Sequence, residues 1–291
     1  MRITLSRKGV DSGAGRLASP ILNGSLVSLP VPGDSDGKIT YSDLSFRSVS
    51  FGTLVEDLSN HKLRQSDKVH LDPDLRRGTY PRKPGWRPIF GQGQPAAESH
   101  LQACGVTVGD LFIFFGWFRE VEHRRGQYRY KKDAPDLHVI YGWLQVAAVV
   151  SCNDPQLSRI SWAHYHPHFR VGDGTAYISS KTLHLGYELE DIPGGGHFTR
   201  YHECLRLTAP DSLNRREWRL PRWFYPRDGC FPLTYHPDRT SFCRRGNYTF
   251  VQSAARGQEF VLDSRDYPEA VSWARRLIHK SHECDLTMRC S

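Results

Sequence analysis

Two apolar runs, "LFIFFGWF" at 111–118 and "LHVIYGWLQVAAVV" at 137–150, constrain this chain more than any other feature. Both are rich in aromatic and β-branched residues and nearly continuous in hydrophobicity. That is the pattern of strands buried on both faces. A single polar stretch, 119–136, separates them, so the pair reads as adjacent antiparallel strands at the centre of a sheet. Gly116 and Gly142 interrupt the runs and mark bulges or places where another backbone comes close.

Around that centre the chain is mostly short extended pieces. Ile3 and Leu5 alternate with Arg2 and Thr4, which predicts a half-buried first strand. Residues 6–48 read as loop with brief strands, and 70–95 as turn-rich and cationic. Helices are expected around Thr53–Leu58 and over 95–106, where Pro95 suits a first turn and Gly105 an end. "YISSKTLHL" (177–185) and "YHECLRLT" (201–208) read as strands, and 215–227 as a loop rich in Arg and Trp. Asp266-Tyr267-Pro268 opens the clearest helix, with Val271, Ala274, Leu277 and Ile278 on its buried face. There is no internal repeat and no dividing linker. The expectation is one α+β domain over 1–291, β-rich, with a mixed or barrel-like sheet and a few peripheral helices.

The 291 residues carry 39 Lys and Arg against 31 Asp and Glu, a formal net charge of +8. This balance favours polyanionic partners, nucleic acid or nucleotides, over acidic proteins. No run of eighteen apolar residues and no signal-peptide core is present, so a soluble cytoplasmic protein without membrane contact is expected. Seven cysteines include no C-x-x-C pair, which argues against both a disulfide framework and a thiolate zinc site.

Four stretches carry candidate chemistry. "SRKGVDSGAGR", from Ser6 to Arg16, gathers hydroxyls, cations and glycines at the end of the first strand. Arg7, Lys8 and Arg16 suit a phosphate, the glycines let backbone approach an anion, and Ser6, Asp11 and Ser12 are candidate catalytic groups. The stretch matches neither a Walker loop nor a dinucleotide fingerprint. "WAHYHPHFR" (162–170) sets His164, His166 and His168 two apart, which would align them on one face if extended. No carboxylate or thiol lies nearby in sequence, so no residue is assigned as a metal ligand and no cofactor is named. "GWFREVEHRRGQYRYKKD" (116–133) interleaves Arg119, Arg124 and Arg125 with aromatic residues, as does the 214–229 segment containing Trp218 and Trp223. Both patterns suit backbone phosphate and stacked bases, and both equally suit a basic hairpin tip or core anchors. His138 and His166 stand among the candidate bases, and Glu188, Glu190 and Asp191 among the carboxylates.

Six segments together resemble the nucleotide modification associated domain, third type: "MRITLSRKGVDSGAG", "SPILNGSLVSLPVP", "IFGQGQPAAESHL", "VGDLFIFFGWFR", "LHVIYGWLQV" and "AHYHPH". The resemblance implies a role in systems that modify bases in DNA, including phage and bacterial hypermodification and defence. By position it also implies that Ser6, Arg7, Lys8, Asp11, Ser12, Gln92, His100, Trp117, Arg119, His138, His166 and His168 line the site. A second similarity, to PUA-type and EVE-type barrels, covers a core at 100–210 and implies a reader of nucleic acid.

Three functions follow as alternatives. The first is an enzyme acting on a DNA base or nucleotide, with Arg7 and Lys8 gripping phosphate and Asp11 or a nearby Ser moving a proton. The second is a non-catalytic reader of modified nucleic acid. The third is an interaction subunit of a modification or defence complex, with other proteins of that system as partners.

Overall fold

Strand β1 (Arg2–Arg7) forms where the alternation predicts it, but Ile3 to Ser6 are all buried, so it is covered on both faces and not on one. In the computed structural model, which describes residues 1–33, 38–154, 160–186, 188–227, 229–255 and 259–287, β1 is wedged between two partners. Ten strands share its sheet: β2 (Ser19–Leu22), β3 (Ser25–Leu26), β4 (Ile89–Gln92), β5 (Leu111–Arg124), β6 (Gln127–Tyr130), β7 (Leu137–Ser151), β8 (Thr175–Ser179), β9 (Gly195–His197) and β10 (Glu259–Asp263) complete it. The main path runs β10-β1-β5-β7-β8-β4. β1 and β2 lie parallel to β5 and the remaining pairs are antiparallel, so the sheet is mixed.

The two apolar runs pair antiparallel from Leu137↔Phe118 to Gln145↔Leu111. The register shifts between Ile140 and Gly142, and both marked glycines are close approaches. A Cβ at Gly116 would lie 2.8 Å from the Lys8 carbonyl oxygen, and one at Gly142 would lie 2.5 Å from Leu75 Cδ1. β7 then continues past its partner, and its second half, Val146–Ser151, pairs with β8.

The sheet curls. Phe90 on β4 packs edge-on against Phe112 and Phe114 of β5, at 5.1 and 5.3 Å between ring centroids, although β7 and β8 lie between them on the path. The curl does not close into a barrel among the described residues, because β4 and β10 share no backbone ladder. Helix α1 (Phe51–Leu58) covers a second core with Leu17, Val27 and Val121, and α2 (Pro95–Ala103) starts on Pro95 as expected. In α4 (Glu269–Thr287), Ala270, Trp273, Ala274, Leu277 and Ile278 are buried.

Three local expectations are corrected, and one conditional reading is decided. The polar stretch 119–136 is largely a hairpin, since Val121 is buried and Tyr128 and Tyr130 pack on the second core. Its turn, Arg125-Gly126, has φ of 53° and 79°, the double left-handed turn that matches strand twist. Within 215–227, Glu217–Pro221 is a strand paired with Tyr248–Gln252, because Trp218 and Leu220 alternate inward against Glu217 and Arg219. "YHECLRLT" forms a 3-10 turn at Glu203–Leu205 instead of a strand. "WAHYHPHFR" is not extended: Pro167 opens a short helix α3 (Pro167–Val171), with His166 at its N-cap position.

A candidate active centre on the concave face

Strand alternation divides the N-terminal cluster into two groups. Thr4, Ser6 and Lys8 follow one face of β1, while Ile3, Leu5 and Arg7 follow the other. The sequence treats Arg7 and Lys8 as one phosphate grip. The pleat sends them to different neighbours.

On the concave side, Lys8 Nζ lies 2.9 Å from Glu259 Oε1 and 4.7 Å from the centre of the Phe90 ring. Gln92 Nε2 donates to the same Glu259 oxygen at 2.8 Å. Glu259 is 1% exposed, and Ser6, its cross-strand partner in β1, is fully buried. Ser6 Oγ and Glu259 Oε2 have no hydrogen-bond partner among the described residues. His100, on α2, bonds Thr234 Oγ1 at 3.0 Å just behind this group, and Thr234 in turn donates to the Glu259 carbonyl.

A cluster of three histidines and a carboxylate adjoins it. The segment around residue 72 is held along β4 by two backbone hydrogen bonds between Asp74 and Ile89, at 2.8 and 3.0 Å. This sets Asp72 beside Gly91, whose N–H donates to Asp72 Oδ1 at 2.6 Å. His166 is fully buried and brings its Nε2 to 3.1 Å from the same oxygen. His168 Nε2 stands 3.8 Å from Asp72 Oδ2 and 3.3 Å from His70 Nε2. The ligand-capable atoms of His70, Asp72 and His168 all lie within 4.8 Å of one another. His164, the other member of the sequence run, is exposed, whereas His166 is buried.

Charge in this cluster is shaped by burial and by neighbours. Burial would raise Asp72, yet the hydrogen bond and charge of His166, with His168 and His70, hold it at about 2. Burial brings His70 down to about 4 against the opposing pull of Asp72, and His168 is lowered for the same reason. Lys8 is near enough for its charge to act on both imidazoles in the same direction. Beneath them, Asp74 is locked by Arg82 at 2.6 Å and by the Tyr165 hydroxyl, which accepts from the Trp86 indole at 2.6 Å. Burial raises Asp74 despite the Arg82 charge.

The remaining candidates fall elsewhere. Arg7 donates to the Ala255 carbonyl at 3.3 Å and lies near Asp11, Arg215 and Arg216. Asp11 Oδ1 accepts from the backbone of Gly13 and Ala14 at 2.7 and 2.8 Å, so it builds its own turn. Ser12 accepts from Arg215, whose guanidinium stacks 4.4 Å over Trp117. His138 is a core residue: its Nδ1 accepts from the Trp218 indole at 3.0 Å, and burial with Arg215, Arg7 and Arg216 brings it to about 3. Arg119 donates to the Lys131 and Lys132 carbonyls, and Arg124 and Arg125 are exposed at the hairpin tip. Arg16 is exposed beside a separate cleft shared with Lys62. Trp223 stacks on Phe224 at 3.9 Å and meets Trp273, as an anchor for α4. The side chains of Glu188, Glu190 and Asp191 lie outside the described residues.

Of the candidates read from sequence, Ser6, Lys8, Gln92, His166 and His168 are therefore brought together. His70, Asp72 and Glu259 escaped sequence reasoning. "HLD" at 70–72 has a His and an Asp two apart, but it is embedded in a turn-rich stretch. Glu259 opens an otherwise ordinary apolar strand.

The fold and this centre define a β-rich α+β protein whose buried polar groups converge inside a curled mixed sheet. The chain belongs to the nucleotide modification associated domain 3 family, whose model matches residues 2–263. That membership ties it to nucleotide modification. No curated protein and no solved structure matches it, so the likeness to PUA-type barrels finds no counterpart.

Proposed function

We propose that the chain is an enzyme acting on a nucleic-acid base or nucleotide, with its chemistry at the Lys8–Glu259–Gln92 group and the adjoining His70, Asp72, His166 and His168. The observation that carries this reading is the gathering of so many buried and half-buried ionisable groups in one place. An ammonium, two carboxylates and three imidazoles within a sheet interior cost more in desolvation than apolar side chains of the same volume. Such concentrations are characteristic of sites that move protons or hold charge. In this reading Lys8 meets an anionic group of the substrate, and the histidines and Asp72 handle protons at the reacting base. Work on duplex DNA would further require extruding the base, at a few kcal/mol.

The reader alternative draws on another surface, where Arg215 lies over Trp117 and Arg124 and Arg125 cap the hairpin. Cations beside aromatic faces suit a bound strand. Both surfaces fit one protein that grips nucleic acid outside and reacts within.

Mass spectrometry of nucleosides from cells with and without the protein tests the enzymatic reading. A nucleoside that appears with the native chain and disappears with Lys8→Gln, which keeps a donor toward Glu259, is the expected result. An unchanged nucleoside profile together with tight oligonucleotide binding would favour the reader.

A further inference from the structure

We propose that His70 Nε2, His168 Nε2 and Asp72 Oδ2 form a binding site for a divalent first-row transition metal, with His166 and Gly91 aiming the carboxylate. This deepens the enzymatic reading for what the ion does there, but whether the ion binds is decided independently. The two imidazole nitrogens face each other at 3.3 Å. Two metal–nitrogen bonds of about 2.0–2.1 Å meeting at a tetrahedral angle span about 3.3–3.4 Å. Asp72 Oδ2 stands 3.8 Å from His168 Nε2, and the ligand atoms of all three residues lie within 4.8 Å of one another, so the carboxylate has to draw in toward the imidazoles to complete the set.

The surrounding hydrogen bonds have the pattern that metal ligands require. His168 Nδ1 is 3.3 Å from the Asp173 carbonyl oxygen, to which it donates, and this leaves Nε2 with its lone pair directed at the cluster. Asp72 Oδ1 is taken up by Gly91 N–H and by His166, so Oδ2 is the oxygen left for an ion. His166, itself fully buried, thus acts as a positioning residue. The backbone is cut to fit the His168 ring: a Cβ at Gly91 would stand 2.1 Å from its Cδ2, and one at Gly93 would stand 2.9 Å from its Cε1.

Two imidazoles and one carboxylate are a donor set used by zinc hydrolases and by non-haem iron enzymes, and in both the open positions take water or substrate. The set holds only three protein atoms, so it is of the open, reactive kind and not the closed structural kind. His168 keeps a partly exposed side chain, which gives an ion a route in.

The test uses the full chain, stripped with a chelator and titrated separately with Zn²⁺, Co²⁺, Mn²⁺ and, without oxygen, Fe²⁺. Bound metal per chain is measured by elemental analysis, and Co²⁺ is followed by its visible absorption. One equivalent bound by the native chain is expected, abolished in His168→Gln and Asp72→Asn. His166→Gln should weaken binding about 10–100-fold, and His164→Gln in the same segment should leave it unchanged. Circular dichroism establishes that each variant is folded, and His168→Gln, at the more exposed position, keeps the test decisive should Asp72→Asn unfold. Less than stoichiometric metal in the native chain, or undiminished metal in folded His168→Gln, would overturn the site. Metal bound without any nucleoside product leaves the site standing and removes the enzymatic reading; product formed by a native chain that takes up no metal removes the site and leaves the enzymatic reading standing.

Discussion

Gln92 donates a 2.8 Å hydrogen bond to Glu259, and the two residues belong to the strands at opposite ends of the sheet's main path. Side chains therefore complete a ring that the backbone leaves open. Lys8 joins it from the neighbouring strand, so the closure of the fold and the assembly of the candidate centre are one event.

Removing one charge from that closure should be costly. Glu259→Leu removes the carboxylate that meets both the Lys8 ammonium and the Gln92 amide, and the expected loss is about 3–5 kcal/mol in urea unfolding. Lys8→Met combined with Glu259→Leu should recover a large part of this, because the ammonium then goes together with the carboxylate it meets. A double variant as unstable as the sum of the singles would show that the pair is not coupled.

Acid should destabilise the protein through His138. Its folded value of about 3 lies below the ordinary His value of about 6.5, so the unfolded chain binds more protons between them. The stabilising contribution is complete above pH 6.5 and falls by about 1.4 kcal/mol per unit as pH drops toward 3, which is about 2 kcal/mol by pH 5. His70 and His197, also lowered by burial, add losses of the same sign. His138→Asn, which offers the Trp218 indole an oxygen in place of Nδ1, should flatten the pH 5–7 profile measured by thermal unfolding. A profile as steep as the native one would locate the proton uptake elsewhere.

The hairpin tip permits a test of nucleic-acid binding without touching the core. Arg125 holds φ at 53°, a conformation Asn tolerates well, so Arg124→Gln with Arg125→Asn should change stability by no more than about 0.5 kcal/mol. If the tip meets phosphate, the slope of log affinity against log salt should shrink by about 0.9 for each phosphate of duplex DNA that is no longer neutralised. An identical slope would take the hairpin out of the interface.

Much of the fold was legible because apolar runs report strands buried on both faces wherever they end up. The β5–β7 pair was readable in this way, β1 from its alternation, and α2 and α4 from their end signals and the spacing of their apolar residues. The misread segments were those whose polar residues alternate with only a few buried ones: Trp218 and Leu220 anchor a strand within an Arg-rich stretch, and Val121 and Tyr130 anchor a hairpin. The centre was half legible. Ser6, Lys8, Gln92, His166 and His168 lie in segments with unusual local wording, whereas Asp72 and Glu259 acquire their meaning from partners as far as 94 and 251 residues away, and His70 from His168. No local pattern encodes a hydrogen bond from His166 back to Asp72. Asp11 is the opposite case, a residue whose sequence context suggested chemistry and whose hydrogen bonds serve its own turn.

The position of β1 also has a consequence for the order in which the molecule can take shape. Its two partners begin at residues 111 and 259, so β1 pairs only with segments more than a hundred residues further along the chain. Glu259 reaches Lys8 and Gln92 through the longer of these two pairings. Pairings of such sequence separation are slow to close. The segments that carry the histidines and Asp72 lie closer together in sequence, and the contacts between them involve no described residue beyond 179.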